Sequence, residues 1–113
     1  EEIIEKNIPW MYESNEFVFT SRFEKLVGPQ GGGSRAQQFE ELSKIAKFLN
    51  INLTSQKIED IANRLYGHPG EGTFNIGKIG TWQLYFKELH KKLFKLYFGY
   101  QLIFLGYEQD FDW

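Results

Sequence analysis

Cysteine is absent from this 113-residue chain, which excludes a disulfide framework, a thiolate metal site and a cysteine nucleophile. Histidine is nearly absent too. His68 and His90 stand on different segments without ligand spacing, which argues against a metal centre. Strong net charge is missing: 13 basic residues face 15 acidic ones, for a net charge of -2. A general nucleic-acid binder carries a marked basic excess, so no nucleic-acid partner is expected. Long apolar runs are also lacking. "YFGYQLIFL", Tyr97 to Leu105, is about half the ~20 residues that span a bilayer. No basic-then-apolar leader is present, so no membrane partner is expected and the expected location is cytoplasmic. The first residue is Glu rather than Met, which points to a processed or partial product.

What the chain has in quantity is aromatic surface: 11 Phe, 6 Tyr and 3 Trp. So much ring area in a short chain calls for a dense core or a partner that covers the excess. The length suits one domain, residues 1–113, with one modest core.

Periodicity divides the chain into a few elements. In "EEIIEKNIPWMYES", Ile3, Ile4, Ile8 and Met11 form a loose helical stripe interrupted by Pro9. "NEFVFTSRF" is β-prone, and Phe17 and Phe19 alternate as in a strand. "GPQGGGS", residues 28–34, precedes a helix that Ser34 and Gln37 open with a capping-box pattern. Phe39, Leu42, Ile45, Ala46 and Leu49 mark its buried side. Thr54 caps the next helix, whose apolar positions are Ile58, Ile61, Ala62, Leu65 and Tyr66. "GHPGEG" breaks the chain. A last helix covers roughly Lys87 to Leu105, ended by Gly106 in the left-handed conformation. Its apolar residues lie on nearly all sides, so burial from several directions is expected. Lys91, Lys92 and Lys95 share one face, read as solvated.

One strand alone leaves its backbone groups unpaired on both edges. Either the chain dimerises through it, or the rest of the sheet lies in sequence beyond this chain. The second answer also accounts for the aromatic surplus.

Local chemistry is sparse. Gly31, Gly33 and Ala36 match G-x-G-x-x-A, yet Glu24 to Gln30 separate them from the strand that a dinucleotide fingerprint follows directly. Ser34 and Ser55 sit at helix starts, where capping explains them. Glu40, Glu41, Glu59 and Asp60 lie on helices beside lysines and read as surface. His90 reads as a partly exposed helix residue. No triad assembles. The remaining candidate is "TFNIGKIGTW", residues 73–82. Gly77 and Gly80 allow close backbone approach to a ligand, Lys78 supplies a positive charge, and Phe74 and Trp82 brace the loop. A turn whose rings simply pack is the alternative.

"RFEKLVGPQGGGS", "IAKFLNINLTSQKIEDIANRLYG", "TFNIGKIGTW" and "LFKLYFGYQLIFLGYEQD" occur in one order. In that order the chain resembles the C-terminal half of sulfotransferases that use 3′-phosphoadenosine 5′-phosphosulfate (PAPS). The resemblance runs from about Phe17 to Asp110, and "LGYEQD" and "GKIGTW" are its most specific parts. It implies an α/β fold, of which this chain is the C-terminal, helix-rich part of a P-loop-like sulfotransferase domain with one strand recognisable. It also implies PAPS as sulfuryl donor and a hydroxyl or amine as acceptor.

The family's Arg-Lys-Gly-x-x-Gly loop holds the nucleotide's 3′-phosphate. Gly77 and Gly80 stand at its two glycine positions, and Lys78 at a variable one. The Arg and Lys positions hold Asn75 and Ile76, which removes two cations, one of them a bidentate phosphate partner. Thr81 replaces an aspartate, and Phe23 replaces a tyrosine near the adenine. The family's 5′-phosphosulfate loop and catalytic histidine have no counterpart here, so no catalytic residue is assigned. The implied partner is the missing N-terminal half or a second copy of the chain. The expected function is part of a sulfotransferase, inactive as this chain alone. The alternative is a non-catalytic helical interaction module or dimer.

Overall fold

The computed structural model describes residues 6, 8–10, 13, 15–68, 70, 72 and 75–113. It divides into two compact units, Glu2–Ile79 and Gly80–Trp113. Among the described residues the regular structure is helical: α1 (Phe23–Leu26), a 3₁₀ turn (Pro29–Gly31), α2 (Arg35–Phe48), α3 (Ser55–Arg64), α4 (Trp82–Tyr85) and α5 (Glu88–Phe104).

In the first unit, α1 packs on α2 and α2 on α3. The start of α2 follows the expected capping: Ser34 Oγ accepts the Gln37 N–H at 3.4 Å. Its end is a Schellman motif. Asn50 is left-handed (φ 54°), its N–H donates to Lys47, and the Ile51 N–H donates to Ala46. Thr54 caps α3, accepting the Lys57 N–H at 3.3 Å.

The core is small. Val27, Leu42, Ala46 and Ala62 are its buried apolar residues, and Gln38 (1% exposed) and Glu41 (2%) are more buried than any of them. Leu49, Ile61 and Leu65, expected on buried faces, are exposed. Glu41, expected at the surface, accepts a hydrogen bond from Ser21 Oγ at 2.8 Å and lies 3.9 Å from Lys25 Nζ.

The expected strand around Phe17–Thr20 is not formed. Asn15 Oδ1 accepts the N–H groups of Phe17 (2.8 Å) and Val18 (3.0 Å), which closes a turn with one isolated antiparallel bridge, Asn15 to Val18. No other strand among the described residues is there to pair with it, so a local side-chain acceptor takes the amides instead. Phe19 turns inward onto Phe48, with ring centroids 5.5 Å apart. Ile8, Pro9 and Trp10 are helical; Ile3, Ile4 and Met11, the rest of the expected first stripe, lie outside the described residues.

The second unit is one long helix with aromatic residues folded along it. Lys87 precedes α5, and His90 Nδ1 accepts the Lys87 N–H at 3.2 Å. Gly106 is left-handed (φ 73°) and completes a Schellman end: its N–H donates to Ile103, and the Tyr107 N–H donates to Leu102. Trp82, Phe86, Phe94 and Phe98 follow one another in edge or tilted contacts, and Trp113 packs on Trp82 and Phe94. Burial of α5 from several directions is not what the structure shows: Gly99 is its one buried residue, and Leu89, Leu93, Leu96, Tyr97, Tyr100 and Phe104 are exposed. No helix among the described residues is long and apolar enough to cross a membrane.

Candidate phosphate-binding loop

The glycine-rich residues 28–33 form a tight corner between α1 and α2. Gly28 (φ 67°) begins it, and its carbonyl accepts the N–H groups of Gly31 (3.2 Å) and Gly33 (2.8 Å). A Cβ on Gly28 would sit 2.6 Å from Gln38 Oε1, so the corner lies flat against that buried amide. Gln38 in turn joins three segments. Its Nε2 donates to the Leu26 carbonyl at 2.7 Å and to the Ala62 carbonyl at 3.5 Å, and its Oε1 accepts from Arg35. Arg35 also donates to Asn63 Oδ1 and lies over the Phe39 ring. A cleft of about 210 Å³ opens beside this network, lined by Gln30, Arg35 and Asn63 among others. Every polar atom named in it is already paired within the protein, which makes it a fastening of α1, α2 and α3.

The corner also receives the second glycine stretch. The Ile79 N–H donates to the Gly31 carbonyl at 2.9 Å. A Cβ on Gly31 would lie 2.5 Å from the Gly77 carbonyl oxygen and 2.0 Å from Val27 Cγ2. Only glycine permits that approach. The hydroxyl of Tyr66, just past α3, donates to the Ile76 carbonyl at 3.3 Å. Residues 76–79 are therefore held on both sides of Lys78.

Gly77 (φ 62°) and Gly80 (φ 76°) are both left-handed, as a loop that turns its backbone outward requires. Gly77, Lys78 and Ile79 close the first unit and Gly80 belongs to the second. Lys78 is exposed, and a Cβ on Gly80 would meet nothing nearer than Gln83 Oε1 at 4.0 Å. Trp82 packs on Phe86 and Trp113; Phe74, the other expected brace, lies outside the described residues. Gly31 and Gly33 do not form a dinucleotide fingerprint, since the segment before them is the helix α1 and not a strand.

Sequence reasoning missed Gln38, the hydrogen bond made by Tyr66 and the meeting of the two glycine stretches. Gln38, a polar residue on a helix, reads as solvent-facing, Tyr66 reads only as part of an apolar stripe, and nothing in residues 28–34 names residues 76–79 as their partner. Compared with known families, curated proteins and solved structures, the chain shows no match.

Proposed function

We propose that this chain is the C-terminal part of a PAPS-dependent sulfotransferase domain of the α/β class, and that residues 75–80 form the side of its nucleotide site that takes the 3′-phosphate. The observation that supports this is the docking of Gly77 and Ile79 on Gly31, which presents Lys78 at the apex of a loop bounded by two left-handed glycines.

The residues fit a phosphate in two respects. Backbone in this conformation can turn N–H groups toward an anion, and Lys78 supplies a point charge. They lack a bidentate guanidinium, because Asn75 and Ile76 stand where the family's cations do. Gly77, Lys78 and Gly80 are the residues that would hold PAPS. When bound, it supplies the sulfuryl group that passes to a hydroxyl or amine. This chain's share is to bind and orient; the 5′ side and the general base belong to the preceding half of the domain. That half covers the exposed face of α5 and supplies the strands that Phe17–Phe19 lack here. The location in this reading is cytoplasmic.

Calorimetry with adenosine 3′,5′-bisphosphate is the test, on this chain alone and joined to the coding segment upstream of Glu1. Binding by the joined protein that weakens about tenfold in Lys78→Gln supports the reading, given that a charge-assisted contact contributes ~1.5–3 kcal/mol. Absence of heat in both forms at high micromolar ligand overturns it.

A second reading has its own observation. The exposed large residues of α5 are symmetric along the helix: Leu89 mirrors Phe104, Leu93 mirrors Tyr100, and Leu96 mirrors Tyr97. Two copies laid antiparallel would put each of these against its counterpart, as a two-fold contact requires. At ~200 Å² for a large side chain, the uncovered area is on the order of 700 Å² per copy, close to that of a standard interface. In this reading the chain is a non-catalytic dimer or interaction module. Analytical ultracentrifugation separates the two: a discrete dimer that Leu96→Glu dissolves favours the module, and a monomer in the protein joined to its upstream segment favours the sulfotransferase half.

A further inference from the structure

We propose that Gly31 and Tyr66 are positioning residues for Lys78, so that the corner at residues 28–33 is a working part of the anion-binding loop; this rests on the reading of residues 75–80 as a phosphate-binding loop. The argument is one of placement. Lys78 lies between two peptide groups that are each fixed from outside the loop. On its N-terminal side the Tyr66 hydroxyl holds the Ile76 carbonyl at 3.3 Å, and the Gly77 carbonyl rests in the space a Gly31 side chain would fill. On its C-terminal side the Ile79 N–H is held by the Gly31 carbonyl at 2.9 Å.

The seat is itself rigid. Gly31 belongs to a 3₁₀ turn whose N–H donates to Gly28, and Gly28 lies flat on Gln38, the amide that also grips the carbonyls of Leu26 and Ala62. Four residues past that anchored Ala62, the chain reaches Tyr66. The loop is thus tied twice to the buried amide of α2, through Gly28–Gly31 and through the end of α3.

Such a seat suits a loop with one cation. Lysine is a point charge on a flexible stem and has no planar fork to align itself on a phosphate. Fixing the backbone on both sides limits what must be ordered when an anion arrives.

The test combines amide hydrogen exchange at Ile79 with calorimetry of adenosine 3′,5′-bisphosphate. Tyr66→Phe deletes one hydroxyl. The double variant Val27→Ala, Gly31→Ala removes the 2.0 Å clash with Val27 Cγ2 and leaves the 2.5 Å clash with the Gly77 carbonyl beside a tight 3.1 Å contact with Cβ of residue 27; Val27→Ala alone is the reference for the core volume lost. The Gln38 side-chain amide signals report that the fold is intact. Exchange at Ile79 is expected to speed up about tenfold in the double variant, the loss of one net hydrogen bond. Affinity is expected to fall about threefold in Tyr66→Phe and about tenfold in the double variant, with little further loss when either is added to Lys78→Gln. Unchanged Ile79 exchange in a folded double variant overturns the proposal, as do losses that add fully to that of Lys78→Gln. If the wild-type protein takes no nucleotide, the phosphate-loop reading fails, and Ile79 exchange alone decides whether the seat exists.

Discussion

The two units of this chain are held together by opposite means. Glu2–Ile79 is organised around polar side chains: Gln38 and Glu41 are less exposed than any of its buried apolar side chains, and each joins segments that are distant in sequence. Gly80–Trp113 is organised around rings: Trp82, Phe86, Phe94, Phe98 and Trp113 meet in edge or tilted contacts along α5, while Leu89, Leu93, Leu96, Tyr97, Tyr100 and Phe104 stay exposed. A satisfied buried amide is directional and fixes one arrangement of three helices. Ring contacts are less exacting about partner, and here they leave large apolar residues exposed. The first unit is fixed by directional polar contacts, and the second leaves the large apolar residues of α5 exposed.

That contrast is most sharply broken at Gln38. Gln38→Ala leaves the Leu26 and Ala62 carbonyls without their donor and opens a void beside Gly28. A loss of about 2–4 kcal/mol is expected in the first unit. Exchange protection in α2 and α3 should collapse while α5 keeps its own. Equal loss in both units would mean that they melt as one and that the contrast is only local.

The corresponding cut in the second unit is Trp113. Trp113→Ala removes a ring that touches Trp82, Phe94 and Lys95, and about 2 kcal/mol should be lost from α5, less than for a fully enclosed ring. Trp113 Nε1 is buried with no hydrogen-bond partner among the described residues. Trp113→Phe, which keeps a ring and deletes that donor, should therefore cost less than half as much. The unfolding midpoint followed through α5 amides distinguishes the two variants.

The same division governs what could be read from the sequence. Helix ends were legible because their chemistry is local: Ser34 and Thr54 cap, and Gly106 stops α5. Asn50 performs the same service for α2 and went unread, since asparagine tolerates the left-handed conformation without requiring it. The core was legible at Leu42, Ala46 and Ala62 and missed at Gln38 and Glu41. Amphipathic periodicity counts polar residues as outward, and only the position of the Leu26 and Ala62 carbonyls draws Gln38 inside. Phe17–Thr20 has strand propensity without a strand partner, and Asn15 decides its conformation. At the candidate site, Gly77 and Gly80 were legible as places of free backbone. Their seat on Gly31 was not, because a close approach between two glycine stretches leaves no trace in either one.

The smallest expected effect tests the electrostatics of the two units against each other. Glu40 and Lys44 form an i,i+4 pair at 2.6 Å on α2, and Glu88 and Lys91 an i,i+3 pair at 3.1 Å at the start of α5. The hydrogen bond from its lysine, then that lysine's charge, holds each carboxyl below its ordinary range; Lys44 is raised in turn. A depressed carboxyl contributes stability above its unfolded pKa and loses it as pH falls through the folded value. The raised lysine contributes below its unfolded pKa and loses that as pH rises through its own folded value. Both pairs are open to solvent, with Lys91 the most covered of the four side chains, so 1 M salt should erase most of either contribution. Their environments nonetheless differ. Lys44→Met should return Glu40 almost to its ordinary value, because Lys25 contributes least to its shift. Lys91→Met should leave Glu88 partly depressed, because Lys92 and Lys95 still act on it and it stands at the positive end of a long helix. Carboxyl-carbon NMR titration of the two variants reads both shifts directly. Equal recovery at Glu40 and Glu88 would show that the lysine-rich start of α5 exerts no field beyond its nearest pair.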